Sequence, residues 1–144
     1  YQSSDLARID LSQYAVGLIR KLTASQEDRS LVVDVTTEGE TVEVSLQTAI
    51  PCGMILNEMA TNSLKYAFHG RDRGSIRVRT EADNGTVRLQ YRDDGPGFGA
   101  ERLLEQPTSM GMILITALTG QLNGSIHVAR ADGFGFDLEI PLAT

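Results

Sequence analysis

The chain has 144 residues, the usual size of one domain, and 41% of them are hydrophobic, enough for a single core. A formal net charge of -6 argues against partners such as nucleic acid or an anionic membrane surface, whose phosphates would repel it. The single cysteine, Cys52, excludes an internal disulfide framework; with no signal pattern and no apolar run of bilayer length, a cytoplasmic location is expected.

Residues 1–8 read as the tail of a longer upstream region, leaving 9–144 as the domain. Leu11, Tyr14, Ala15, Leu18, Ile19 and Leu22 then recur at helical spacing, with Asp10 or Ser12 as the cap. Leu31, Val33 and Val35 predict a strand, and Val42 to Leu46 a short second one. A long helix is expected from Thr48 to Phe68, with Pro51 tolerated in its first turn and Gly70 suited to its C-terminal cap. Ile76 and Val78 alternate with Arg77 and Arg79, Asn84-Gly85 marks a hairpin, and Val87, Leu89 and Tyr91 alternate with Arg88, Gln90 and Arg92.

A helix from Met110 carries an expected apolar stripe of Met110, Ile113, Leu114, Ala117, Leu118 and Leu122, and ends at Asn123-Gly124. Two strands close the chain, with Ile126, Val128, Phe136, Leu138 and Ile140 inward. Asp137 and Glu139 point outward, toward the arginines of the preceding hairpin. The resulting fold class is α/β: a two-layer sandwich in which a mixed, mostly antiparallel sheet packs against three helices.

Three segments have residues suited to chemistry. Glu58 and Asn62 are four apart and share a helix face, with Lys65 three beyond. A carboxylate beside an amide oxygen suits Mg²⁺, which takes hard oxygen ligands and keeps several waters, and Lys65 suits a phosphate. The same pattern also fits an ordinary solvated helix face. Asp93-Asp94-Gly95-Pro96-Gly97-Phe98 follows a strand directly. Its glycines let backbone approach a flat ligand, and a carboxylate at a strand end can accept from an exocyclic amine such as that of adenine; a plain turn has the same composition. Ser109-Met110-Gly111 opens a helix, where free N–H groups favour phosphate, or where Thr108 or Ser109 simply caps. Gly99 to Thr108 has no strong period and reads as a segment lying over the site.

Other nucleotide-binding patterns are absent: the chain has no G-x-x-x-x-G-K-[ST], no G-x-G-x-x-G opening a βαβ unit, and no H-R-D with D-F-G. One cysteine and two distant histidines, His69 and His127, do not make an ordinary zinc site.

Taken in order, these segments resemble the catalytic, ATP-binding domain of sensor histidine kinases, of the short-lid kind within the Bergerat-fold ATPase superfamily. Asn57 to Tyr66 is similar to that family's N box, Asp93-Asp94-Gly95-Pro96-Gly97 to its D-x-G-x-G box, and Ser109-Met110-Gly111-Met112 to its second glycine box. Gly133 to Pro141 is similar to the last box and closing strand, except that Phe134 stands where a threonine is usual.

The resemblance implies bound ATP and Mg²⁺. It implies that Asn62 ligates the metal, that Asp93 takes the adenine amine and that Glu58 acts on the attacking group. Lys65 and Tyr66 would lie near phosphate or ribose, Gly95, Gly97 and Gly111 would shape the pocket, and Phe98, Ser109 and Met110 would line it. It also implies a phosphoacceptor histidine on a dimerisation domain upstream of residue 1, a response regulator downstream, a monomeric fragment and a homodimeric full-length kinase. The alternative expectation is a degenerate relative that docks a partner without turning over ATP.

Overall fold

Asp10 starts the first helix, its Oδ1 accepting from the Gln13 N–H at 3.2 Å and from the Ser12 hydroxyl at 2.9 Å. This resolves the choice of cap in favour of Asp10. The computed structural model describes residues 7–26, 30–95, 110–129 and 133–142. In chain order these form β1 (Ile9–Asp10), α1 (Leu11–Ala24), β2 (Val32–Gly39), β3 (Glu43–Val44), α2 (Leu46–Asn62) and a π-helical turn (Ser63–Ala67). Then come β4 (Arg73–Asp83), β5 (Thr86–Asp93), α3 (Met110–Gln121), β6 (Ser125–Ala129) and β7 (Phe134–Pro141).

The main sheet has five strands in the order β2-β4-β5-β7-β6; β2 and β4 run parallel and every other pair is antiparallel. The β1 and β3 strands make a separate two-stranded sheet. Asn84 and Gly85 take φ of 51° and 77°, the left-handed pair that a two-residue hairpin needs. One face of the sheet carries Ile76, Val78, Val87, Leu89, Tyr91, Phe134, Phe136, Leu138 and Ile140, all buried against α1 and α2. The opposite face is a ladder of charge, with Arg92–Asp137 at 2.7 Å, Arg88–Glu139 at 3.5 Å and Arg77–Glu38 at 3.6 Å. This two-layer arrangement is the α/β sandwich expected. No helix among the described residues is long and apolar enough to cross a membrane.

Three local expectations need correction. Helix α2 begins at Leu46, capped by Ser45, so Pro51 lies in its second turn and forgoes a bond to the Gln47 carbonyl. In α3 the buried residues are Ile115, Leu118 and Thr119, followed by Leu122, while Met110 and Ile113 are 81% and 51% exposed. That helix is apolar on nearly every side, so periodicity gives it no phase. In β6, Val128 is exposed and Ile126 only half-buried, because the strand lies at the sheet edge.

Candidate functional site

Helix α2 does not stop at Asn62 but continues as the π-helical turn, in which the Phe68 N–H reaches back to the Ser63 carbonyl at 2.9 Å. Glu58 and Asn62 are both half-buried, one α-helical turn apart on one face. A π turn winds fewer degrees per residue, so Lys65 trails the Glu58–Asn62 line instead of extending it; Lys65 and Tyr66 are both exposed. The same turn directs Ser63 and Ala67 into the interior.

Helix α3 passes close to Glu58: a Cβ added at Gly111 would lie 3.1 Å from Glu58 Oε2. Gly111 therefore faces the carboxylate, and the early turns of a helix favour a negative group. Met110, next to it, projects outward and is 81% exposed.

Asp93 ends β5 on the core side of the sheet and is only 2% exposed. Its Oδ2 accepts from the Ser63 hydroxyl at 2.6 Å and its Oδ1 from the Gly95 N–H at 2.9 Å. Phe134 lies opposite Asp93 in the β5–β7 register, and its backbone favours the ionised carboxylate. Burial pushes the Asp93 carboxyl above its ordinary range, and the Ser63 hydroxyl and the backbone at Gly95 and Phe134 pull back against that rise. Ser63 Oγ lies 2.7 Å from the Tyr91 hydroxyl, so a buried polar chain joins α2 to β5. Burial raises the Tyr91 phenol as well, which keeps it protonated.

The two aspartates of the turn diverge. Asp94 is half exposed to solvent, pairs with Arg71 at 3.0 Å and accepts from the Ser75 N–H at 3.2 Å, so it ties the turn to β4. Arg71 in turn lies over the Phe68 ring, 5.4 Å from its centroid. Glycine is required at Gly95 by close approach: a Cβ there would overlap that of Ala67 in the π turn. At Gly133, φ is 101° and a Cβ would overlap the Asp93 carbonyl, so β7 enters directly against the end of β5.

The structure thus brings Glu58, Asn62, Asp93, Gly95 and Gly111 to one end of the α2–sheet boundary, with Lys65, Tyr66 and Met110 exposed around them. Gly97, Phe98, Ser109 and the segment Gly99 to Thr108 lie outside the described residues. His69 and His127 are exposed. Among the described residues no group of three or more His, Cys, Asp or Glu side chains converges as a metal cage. An Asn–Glu pair fits Mg²⁺ all the same, since that ion is ordinarily held by one or two side chains together with substrate phosphates and waters. Sequence reasoning passed over Ser63 and Tyr91. Ser63 follows Asn62 in the polar helix and Tyr91 looked like one more core residue; only the helix-to-sheet register joins them.

Residues 47–144 match the family described as histidine kinase-, DNA gyrase B-, and HSP90-like ATPase. The chain is 27% identical over 113 residues to blue-light-activated histidine kinase 2 of Erythrobacter litoralis, covering 77% of this chain and 33% of that protein. Among solved structures, the histidine kinase domain of Erythrobacter litoralis EL346 blue-light activated histidine kinase superposes with a TM-score of 0.75 at 25% identity, over 93% of this chain and 62% of that one. The catalytic domain of histidine kinase ThkA superposes with a TM-score of 0.70 at 18% identity, over 94% of this chain and 95% of that one, and speaks for the fold alone. The chain spans about a third of the length of that curated Erythrobacter kinase.

Proposed function

The chain belongs to the histidine kinase-, DNA gyrase B-, and HSP90-like ATPase family, and from that premise we propose that it is the catalytic domain of a sensor histidine kinase, which binds Mg²⁺-ATP and passes the γ-phosphoryl group to a histidine on another domain of the same protein.

The observation that carries this reading is the bond from Ser63 to Asp93 at 2.6 Å, which ties the end of the Glu58–Asn62 helix to the strand end bearing the buried carboxylate. One site then has a base-recognising end and a phosphate-handling end. At the first, Asp93 accepts from the adenine amine, and the absence of a side chain at Gly95 keeps the backbone close. At the second, Asn62 offers its amide oxygen to the metal, and Lys65, exposed beside it, offers a cation to phosphate. When bound, Mg²⁺ would neutralise charge on the phosphates during transfer.

Glu58 handles the proton. It borders an open cavity of about 250 Å³ lined also by Tyr14, Leu18, Ile50, Met54 and Leu114. An imidazole presented from that side meets the Glu58 carboxylate, which can orient it and accept its proton as the new N–P bond forms and the bond from the γ-phosphorus to the bridging oxygen breaks, releasing ADP. Neither His69 nor His127 lies in such a setting, so the acceptor is supplied from elsewhere; a response regulator would receive the phosphoryl group afterwards.

The test is transfer from γ-labelled ATP to a separately supplied histidine-bearing dimerisation domain of a sensor kinase. Acid-labile phosphate on that domain, dependent on this chain and on Mg²⁺, is expected. Tight Mg²⁺-ATP binding with no transfer to any such domain would leave a module that docks a partner without turnover. Label on this chain alone, lost in His69→Ala or His127→Ala, would overturn the assignment of an external acceptor.

A further inference from the structure

We infer that Ser63 and Tyr91 are positioning residues for nucleotide selection, forming a relay Tyr91 O–H to Ser63 Oγ to Asp93 Oδ2 that aims the Asp93 carboxylate at the amine of the base. The inference rests on the reading that Asp93 recognises adenine.

The direction of the relay follows from the chemistry of its ends. An ionised carboxylate only accepts, so the Ser63 hydroxyl donates to Oδ2 at 2.6 Å. The Ser63 oxygen then has its lone pairs free, and the Tyr91 hydroxyl, 2.7 Å away, donates to it. Each bond polarises the next, which strengthens both in a site where all three residues are at most 2% exposed.

The ring of Tyr91 is itself held fast. It stacks on Phe136 with centroids 5.7 Å apart and planes 5° from parallel. The hydroxyl is therefore fixed by the sheet, while Ser63 is fixed by the π turn, and Asp93 is held between them.

A carboxylate has about four acceptor directions. Here the Ser63 hydroxyl takes one at Oδ2 and the Gly95 N–H one at Oδ1, so these two bonds limit the directions left to a ligand. Position 134 contributes no hydroxyl, its side chain being a buried phenyl group. The hydroxyl that holds Asp93 therefore comes from the helix side, from Ser63. A carboxylate held at both oxygens in this way favours an amine donor at one position of the base and disfavours a carbonyl oxygen there.

The test is a cycle crossing the protein variant with the ligand. Dissociation constants are measured for ATP and for purine riboside triphosphate, which lacks the exocyclic amine, on the wild-type chain, Ser63→Ala and Tyr91→Phe. The wild type should prefer ATP by about tenfold or more, as for a hydrogen bond to a charged group. In Ser63→Ala that preference should shrink at least about threefold, with ATP losing affinity and the amine-free analogue nearly unchanged. Tyr91→Phe, which removes only a hydroxyl, should shrink it in the same direction by a smaller factor.

Equal losses for both ligands, or an undiminished preference in both variants, would overturn the relay, since a merely structural role weakens the two ligands alike. A wild type that does not discriminate between them would instead overturn the adenine assignment of Asp93. If Ser63→Ala fails to fold, the Tyr91→Phe ratio decides alone.

Discussion

Replacing Asp93 by asparagine separates recognition from folding. The carboxylate accepts from Ser63 Oγ and the Gly95 N–H at 2.6 and 2.9 Å. An asparagine fits the same volume. Its Nδ2, turned toward Ser63, can donate to Oγ, and Ser63 can redirect its hydroxyl to Tyr91; the amide oxygen keeps the Gly95 bond. The internal network therefore inverts and largely survives, and relief from burying a charge offsets part of what is lost. The free protein should change in stability by no more than about 1 kcal/mol, the worth of a typical hydrogen bond.

Binding has no such compensation. The ligand amine now faces either an Nδ2 donor or a neutral oxygen already engaged by Gly95. The charged bond is lost, at about 1.5–3 kcal/mol, or roughly 10- to 150-fold in affinity. Titration calorimetry with Mg²⁺-ATP measures the loss, and a thermal melt of the free protein shows that the fold is intact. An unchanged dissociation constant in a folded variant would sink the assignment of Asp93 to the base.

Glu58→Gln keeps the shape beside Gly111 but removes the basic charge, so ATP affinity should be nearly unchanged. Phosphorylation of a supplied histidine domain should fall at least about 10²-fold; transfer at the wild-type rate refutes the role. Gly95→Ala should destabilise by roughly 1–3 kcal/mol, because the new methyl group overlaps Ala67 and must push the turn away from Asp93. A denaturant titration with an unshifted midpoint would show that the approach is not tight.

Asp93 also predicts two opposite responses to acid. Its carboxyl is raised in the folded state, mainly by burial. Alone, it therefore favours folding at low pH, a contribution lost as pH rises through the folded value. The preference for ATP over the amine-free analogue needs the ionised form, so it should fall with falling pH, at a midpoint above the ordinary aspartate range. The two ligands carry the same triphosphate, whose own titration cancels in the ratio. A ratio flat down to that ordinary range argues that a donor holds Asp93 more strongly than its burial opposes.

Local chemistry was legible along the chain. Asn84-Gly85 had to turn because both positions adopt positive φ. The alternation from Val87 to Arg92 gave β5 one apolar and one charged face, and the charged face meets Asp137 and Glu139 as expected. Asp93, at the end of that alternation, fitted either a site carboxylate or a plain turn, and the resemblance to the kinase boxes chose between them. In α3 the expected stripe put Met110 and Ile113 inward and missed Ile115, because a helix apolar on nearly every side has no clear phase and packing against α2 selected Ile115 and Leu118 for burial.

Assembly of the site depended on long-range register. The parallel pairing of β2 with β4 joins segments about forty residues apart, and no local pattern encodes it. The Ser63–Asp93 bond spans a sequence separation of 30 and exists because the last turn of α2 widens into a π turn. Sequence periodicity treated Ser63 as one more polar residue of a helix and Tyr91 as one more core aromatic. A hydrogen bond between a helix and a strand depends on where the two elements meet, and that is set by how the whole core packs, not by either segment.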